Sequence, residues 1–292
     1  FDVLLCPEGF VPISKVNADC PVVLWTDTTT SSLIDFYDGL SNLCSETRKN
    51  IYRYEKAALE RCDLVVLTSD WAANFAINTY SIPAEKVKVI PRGSNKERTV
   101  LADTVKSSIQ SRATDQCVLT FVGVDWERKG GDIALAVVKR LNAIGLPTIL
   151  QVIGCNPKVN EKSEFIKSFG FLHDSRPKDL KLFEDALLHS HFLILPSRAE
   201  HCAIALSEAN SYGVPCLTTD VGGIPTIVQG GRNGRTFSKD DTVDDYCNYI
   251  MYYMSDLSKY QDLAASSLQE FETRLSWDVS RATFSQLLES LR

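Results

Sequence analysis

The chain has 292 residues, with 31 lysines and arginines against 37 aspartates and glutamates, for a formal charge of -6. That acidity excludes a dedicated nucleic-acid binder, which needs a basic footprint to neutralise phosphates. The 44% hydrophobic and 23% charged content is that of a globular protein with room for one large or two ordinary domains.

Strand-like apolar runs are predicted at 3–6, 22–26, 64–69, 87–90, 117–122, 148–153, 192–196 and 214–218. The chain begins at Phe1 with no initiator Met, and runs directly into the first of them. Helical segments alternate with the strands, at Ser45–Arg61, Ile133–Ile144, Leu180–Ser190 and Ile204–Tyr212. Leu64-Val65-Val66-Leu67 and Phe192-Leu193-Ile194-Leu195 are apolar on both faces, which suits parallel strands covered by helices on each side. The alternation predicts a doubly wound α/β architecture. It breaks at Arg92–Gln116, where a polar stretch and a weakly apolar helix (Val100–Ile109) make the best linker. From Asp244 to Arg292 the pattern is helical without a strand.

The nine cysteines, an odd number with no Cys-x-x-Cys pair, do not form a disulfide framework, and most are expected to be buried small hydrophobes, as at Cys6, Cys117 and Cys216. No apolar run reaches the ~18 residues of a membrane span. There is no signal-peptide pattern either, so the expected compartment is cytoplasmic, with peripheral membrane contact left open.

Three segments carry chemistry. Phe121-Val122-Gly123-Val124-Asp125-Trp126-Glu127-Arg128-Lys129-Gly130-Gly131-Asp132 reads as strand, loop and helix. Gly123 lets backbone approach a ligand, and Arg128 and Lys129 stand beside a helix N-terminus, where free N–H groups favour phosphate. The bland reading of this turn is a solvated basic loop. In Leu195-Pro196-Ser197-Arg198-Ala199-Glu200-His201-Cys202-Ala203-Ile204, a buried strand leads into a helix, and Glu200 falls where open α/β sheets place ligands. Glu208 follows one to two helical turns on, about 12 Å away if the path is helical. That spacing lets one carboxylate hold sugar hydroxyls and the other a ribose diol, with phosphates at the helix start between them. The bland alternative for Glu208 is a solvated helix face, which the packed neighbours Leu206 and Ala209 disfavour. In Val221-Gly222-Gly223-Ile224-Pro225, a glycine pair after a strand can wrap around a ligand or simply make a turn. His189 and His191 lack a third ligand nearby, and the chain has no Asp-x-Asp, so no metal site is expected.

These segments together resemble retaining glycosyltransferases of family 4, of GT-B fold. The carriers are Leu-Pro-Ser before Glu200, the Glu-x7-Glu spacing to Glu208, Glu-Ala-Asn-Ser-Tyr-Gly-Val-Pro after it and Val-Gly-Gly-Ile-Pro. Further pieces are Ser69-Asp70-Trp71, Val89-Ile90-Pro91, Phe121-Val122-Gly123, Val152-Ile153-Gly154, Phe169-Gly170-Phe171-Leu172 and Ser276-Trp277-Asp278. The resemblance implies two Rossmann-like domains facing a cleft: a partial acceptor-side domain at 1–94, a nucleotide-sugar domain at 95–270 and a C-terminal helix at 271–292 returning to the first domain. It implies transfer of a sugar from a nucleotide-diphosphate-sugar to an unidentified acceptor (a saccharide, lipid or small molecule) with retention of configuration, without metal or cofactor. Arg128 and Lys129 match the pair that neutralises the diphosphate, Glu200 the sugar contact and Glu208 the ribose contact. Phe171 and Leu172 match the segment along the base. His201-Cys202-Ala203 replaces the commoner Gly-Phe-Gly after the first Glu, Ile204 follows it on the donor side, and Val124 stands where many relatives carry Arg. Asp27 falls near the acceptor-side His of many relatives. The family's glycine-rich acceptor loop has no match, so one or two βαβ units of ~30 residues each are expected to precede Phe1. A truncated first sheet would expose an edge strand and leave weak transfer. The rivals are a sugar-nucleotide epimerase or phosphorylase of the same fold, and a non-catalytic sugar-nucleotide-binding module.

Overall fold

A computed structural model describes residues 2–95, 99–157 and 164–291. Two parallel sheets carry the chain. The first has four strands in sequential order, β1 (Leu4–Pro7), β2 (Val22–Thr26), β3 (Leu64–Leu67) and β4 (Val87–Val89). The second has six: β5 (Cys117–Val122), β6 (Thr148–Ile153), β7 (Ile166–Gly170), β8 (Phe192–Leu195), β9 (Cys216–Thr219) and β10 (Gly234–Phe237). Their order is β10-β9-β8-β5-β6-β7. Every pairing within the two sheets is parallel.

The central strands are those the sequence predicts most directly. Each residue of β3 and of β8 is buried, because helices cover both faces and a solvated face is lost. Two strands differ from expectation. The edge strands β7 (Ile-Lys-Ser-Phe-Gly) and β10 (Gly-Arg-Thr-Phe) have one neighbour each and keep polar residues, so no apolar run announces them.

Helix starts follow ordinary capping chemistry. The Ser69 side chain accepts from the Ala72 N–H at 3.2 Å and opens the helix Asp70–Tyr80. Thr242 and Asp245 form a capping box at the head of Val243–Met254. Helix Ala102–Ser111 buries Val105 and Ile109 in the large core around the second sheet.

The first sheet packs on two faces. Val22 and Leu24 join one core cluster with Leu59, Val65 and Tyr80. Val23, Leu64, Val66 and Ile90 form the other cluster, with Phe284 of the helix Trp277–Glu289. The Trp25 ring lies 4.3 Å from that of Phe284 and 6.3 Å from that of Trp277. The alternation along β2 thus divides its side chains between two apolar faces. A π-helical turn at Phe271–Leu275 precedes this last helix, and Arg274 within it donates to the Thr226 and Ile227 carbonyls at 2.6 and 2.7 Å.

Cysteine usage departs from expectation. All nine are free thiols, but only Cys62, Cys117, Cys216 and Cys247 are buried; Cys44 is exposed and the rest, Cys6 included, are partly exposed. Among the described residues no helix is long and apolar enough to cross a membrane.

Candidate functional site

The order of the second sheet fixes where a ligand can enter. The strand sequence reverses between β5 and β8, and in open α/β sheets the crevice at such a switch point, at the carboxyl ends of the strands, receives ligands. The loops leaving β5 and β8 are the two basic and acidic segments singled out above. They lock together: the Arg198 N–H donates to the Arg128 carbonyl at 2.8 Å. Gly130 makes that approach possible. Its φ is +75°, and a Cβ there would stand 2.0 Å from the Pro196 carbonyl oxygen. Gly130→Ala is therefore expected to lower stability by at least about 2 kcal/mol, from the left-handed backbone and the clash together. Denaturant unfolding measures this, and an unchanged midpoint would contradict the geometry.

Glu200 is the centre of the site. It is 4% exposed; Lys129 Nζ donates to its Oε2, and the Cys202 N–H donates to Oε1 at 3.3 Å. Arg128 stands next to this pair, with Nη1 3.8 Å from Glu200 Oε2, 3.0 Å from the Ala199 carbonyl it donates to, and Nε 3.5 Å from Asp125. The family resemblance implies a diphosphate at Lys129 and a sugar at Glu200; in the structure the two side chains pair with each other.

One expectation needs correction, and one open choice is decided. The loop that leads into the helix Gly131–Ala143 spends its own amides, and the first amide of the helix with them. The N–H groups of Lys129, Gly130 and Gly131 donate to the carbonyls of Asp125, Glu127 and Trp126, and the Arg128 N–H donates to the Asp125 carboxylate. Asp132 occupies the first turn and pairs with Arg198, whose guanidinium holds its carboxyl below the usual range. An anion is already seated there. The glycine pair at Gly222-Gly223 likewise wraps the protein itself: Cβ atoms there would lie 2.0 and 2.1 Å from the carbonyl oxygens of Glu200 and His201. Its close approach shapes the Glu200 loop.

His201 reaches across to the first sheet. Its Nδ1 is 2.8 Å from the Tyr37 hydroxyl, and its N–H donates to the same oxygen at 3.1 Å. Its Nε2 is 3.7 Å from Asp27 Oδ2. Asp27, at the carboxyl end of β2, also pairs with Arg92 Nε at 2.7 Å. The Tyr37 ring lies under the Arg128 guanidinium at 5.4 Å. Burial, then the Glu200 charge, pushes its phenol up to about 12, so it stays protonated at neutral pH. Neither Tyr37 nor Arg92 stood out in the sequence as a site residue, because their partners lie far away along the chain. A further clasp, Thr226 Oγ1 donating to Asp70 Oδ2 at 2.9 Å, ties the two units together.

Three cavities surround Glu200 and the β5 loop. One of about 600 Å3 is lined by Asp27 and His201, with residues of the first unit. A second, about 700 Å3, is lined by Tyr37, Arg128, Arg198 and Ala199. The third, about 390 Å3, brings together Gly123, Val124, Phe171 and Leu172. Phe171 is 59% exposed at its rim. Glu208 is 6% exposed within the helix Ile204–Asn210, whose N-cap is Ala203, and lines none of these three. Burial and the Asp27 charge push the Cys202 thiol up to about 12, which keeps it an unreactive neutral group.

Of the two histidines at 189 and 191, the second has a structural role. His191 is buried, its Nδ1 accepting from the Val118 N–H at 3.0 Å, so the proton sits on Nε2, 2.7 Å from the Ala113 carbonyl. Burial pushes its pKa down to about 4. Among the described residues no cluster of three or more His, Cys, Asp or Glu side chains is placed to hold a metal ion.

Two parallel sheets whose carboxyl ends meet across such a site form the GT-B architecture of glycosyltransferases. The family model described as glycosyl transferases group 1 matches residues 103–269, more than half of the sequence, and the chain belongs to that family. Granule-bound starch synthase 1 of Ipomoea batatas is 26% identical over 187 residues, covering 60% of this chain and 30% of the synthase. D-inositol 3-phosphate glycosyltransferase of Rhodococcus erythropolis is 25% identical over 255 residues, covering 82% of this chain and 55% of that protein. The chain thus spans about half or less of these relatives' length. Among solved structures, Anabaena HepE in complex with UDP has a TM-score of 0.71 at 16% identity, covering 99% of this chain and 79% of that one. Sucrose-phosphate synthase from Thermosynechococcus elongatus has a TM-score of 0.69 at 17% identity, covering 100% and 74%. At these identities the structural likeness concerns the fold.

Proposed function

We propose that the chain carries the donor side of a retaining, family 4 type glycosyltransferase that takes a sugar from a nucleotide-diphosphate-sugar without a metal ion. The observation that carries this reading is the meeting of Arg128, Lys129 and Glu200 at the switch point of the family-matched sheet. Uridine diphosphate is the first nucleotide to try, since HepE is seen with UDP.

In this reading the base lies in the cavity at Gly123, Phe171 and Leu172, and Glu208 takes the ribose diol. Arg128 and Lys129 face the diphosphate, whose charge grows as the bond to the anomeric carbon breaks. Fixed cations aimed at developing charge lower the barrier more than they strengthen ground-state binding. Glu200 faces the transferred sugar, and until a donor arrives its carboxylate is paired with the Lys129 ammonium. Asp27, His201, Cys202 and Ile204 border the sugar on the side of the first unit.

The test follows donor turnover, by hydrolysis or transfer, in the presence of EDTA, with the anomeric proton read by NMR. Turnover that persists under chelation and releases the donor's own anomer first is the expected result. Complete loss on chelation with recovery on Mg2+ or Mn2+, or an inverted first product, would overturn the corresponding part.

A further inference from the structure

The cavity on the first-unit side of Glu200 has a composition that selects its ligand. Its volume, about 600 Å3, is that of a small-molecule site. Phe10 and Val11 after β1, Leu33, and Ile51 and Tyr54 of the helix Ser45–Arg61 give it apolar walls. Its charged lining is carboxylate: Glu8, Asp27 and Glu55, and among the described lining residues there is no Lys or Arg.

These carboxylates already have partners. Glu55 is 2% exposed and accepts from the Thr30 and Ser31 N–H groups and, at 2.5 Å each, from the Ser31 and Tyr80 hydroxyls. Arg92 lies behind Asp27 at 2.7 Å and is 3.8 Å from Glu8, so two carboxylates share its charge. A phosphomonoester entering here meets like charges and, among the described lining residues, no Lys or Arg, and the one guanidinium close by, Arg92, is already shared between Glu8 and Asp27. The neighbouring cavity, lined by Arg128 and Arg198, has the opposite character. The apolar cavity also opens toward the reaction centre: Asp27 and His201 line it, and His201 follows Glu200 directly.

We propose that this cavity takes the acceptor, and that the acceptor is an uncharged molecule with an apolar ring or chain and free hydroxyls, not a sugar phosphate. The proposal rests on the glycosyl-transfer reading above. The apolar body lies against Phe10, Leu33 and Ile51. A hydroxyl at the inner end is held by the Asp27 carboxylate, directed toward the sugar at Glu200.

The experiment uses the whole chain and ligand-observed NMR titrations of 4-nitrophenyl β-D-glucoside and glucose 6-phosphate, with UDP binding measured separately. The glucoside is expected to bind at least about tenfold more tightly than the sugar phosphate, the ring being worth that much in an apolar site. Val11→Lys and Ile51→Lys, at positions that are not buried, are each expected to weaken the glucoside about tenfold or more while the melting temperature shows a folded chain. Tighter or equal binding of glucose 6-phosphate overturns the proposal, as does glucoside affinity untouched by both folded variants. A chain that binds the glucoside in this cavity but binds no nucleoside diphosphate refutes the transfer reading, and the acceptor role falls with it. If UDP binds and the glucoside does not, the donor reading stands and the acceptor class is wrong.

Discussion

Lys129→Ala is expected to lower turnover at saturating donor by about 10²–10³-fold, the usual cost of removing one fixed group that faces developing charge. Two observations set this expectation. The Lys129 side chain is only 12% exposed and Glu200 only 5%, so the ammonium works where water screens it little. Arg128 is further out, 30% exposed, and shares itself between Asp125 and the Glu200 loop, so Arg128→Ala is expected to cost less. A structural role for Lys129 predicts another pattern: buried Glu200 loses its partner, the fold weakens, and folded protein turns over normally. Steady-state kinetics beside a melting curve separates the two. Wild-type turnover in a folded Lys129→Ala chain would return this turn to a solvated basic loop.

Glu208→Ala is expected to weaken nucleoside diphosphate binding about 10- to 100-fold, since a hydrogen bond to a charged group is worth roughly 1.5–3 kcal/mol. Glu208 is 6% exposed, on a helix where Leu206 and Ala209 are fully buried, so it does not lie on a solvated helix face. Glu208→Gln keeps the volume and removes the charge, and is expected to lie between the wild type and alanine. Calorimetry with the free nucleotide reads both variants. Unchanged affinity in folded Glu208→Ala would remove the ribose assignment.

How far the sequence spoke depends on the range of the interaction. β3 and β8 were plain because continuous burial leaves an apolar run, and Ser45–Arg61 because its polar periodicity is local. The edge strands β7 and β10 were silent, since their pairing depends on one neighbour and their composition on solvent. The Arg128–Lys129 and Glu200 segments were legible as motifs, each lying within a few residues of a strand end. What the motifs did not show is who holds whom. Tyr37 reaches His201 across 164 positions, and Arg92 reaches Asp27 only once the chain has passed through two more strands. The amides of Lys129, Gly130 and Gly131 look free in the sequence because the internal turn that occupies them is a matter of loop geometry. The Gly222-Gly223 pair admitted a ligand or a backbone equally well on paper, and the Glu200 and His201 carbonyls decided it.

The central claim is that the switch point of the second sheet is a nucleotide-diphosphate site. Isothermal titration of the chain with UDP, GDP and ADP tests it most directly, because it needs neither acceptor nor turnover. The account predicts saturable binding of at least one of the three at a single site, lost or strongly weakened in Glu208→Ala and in a Lys129→Ala, Arg128→Ala double variant. No binding of any of the three to the folded chain, or binding that both variants leave intact, would contradict it.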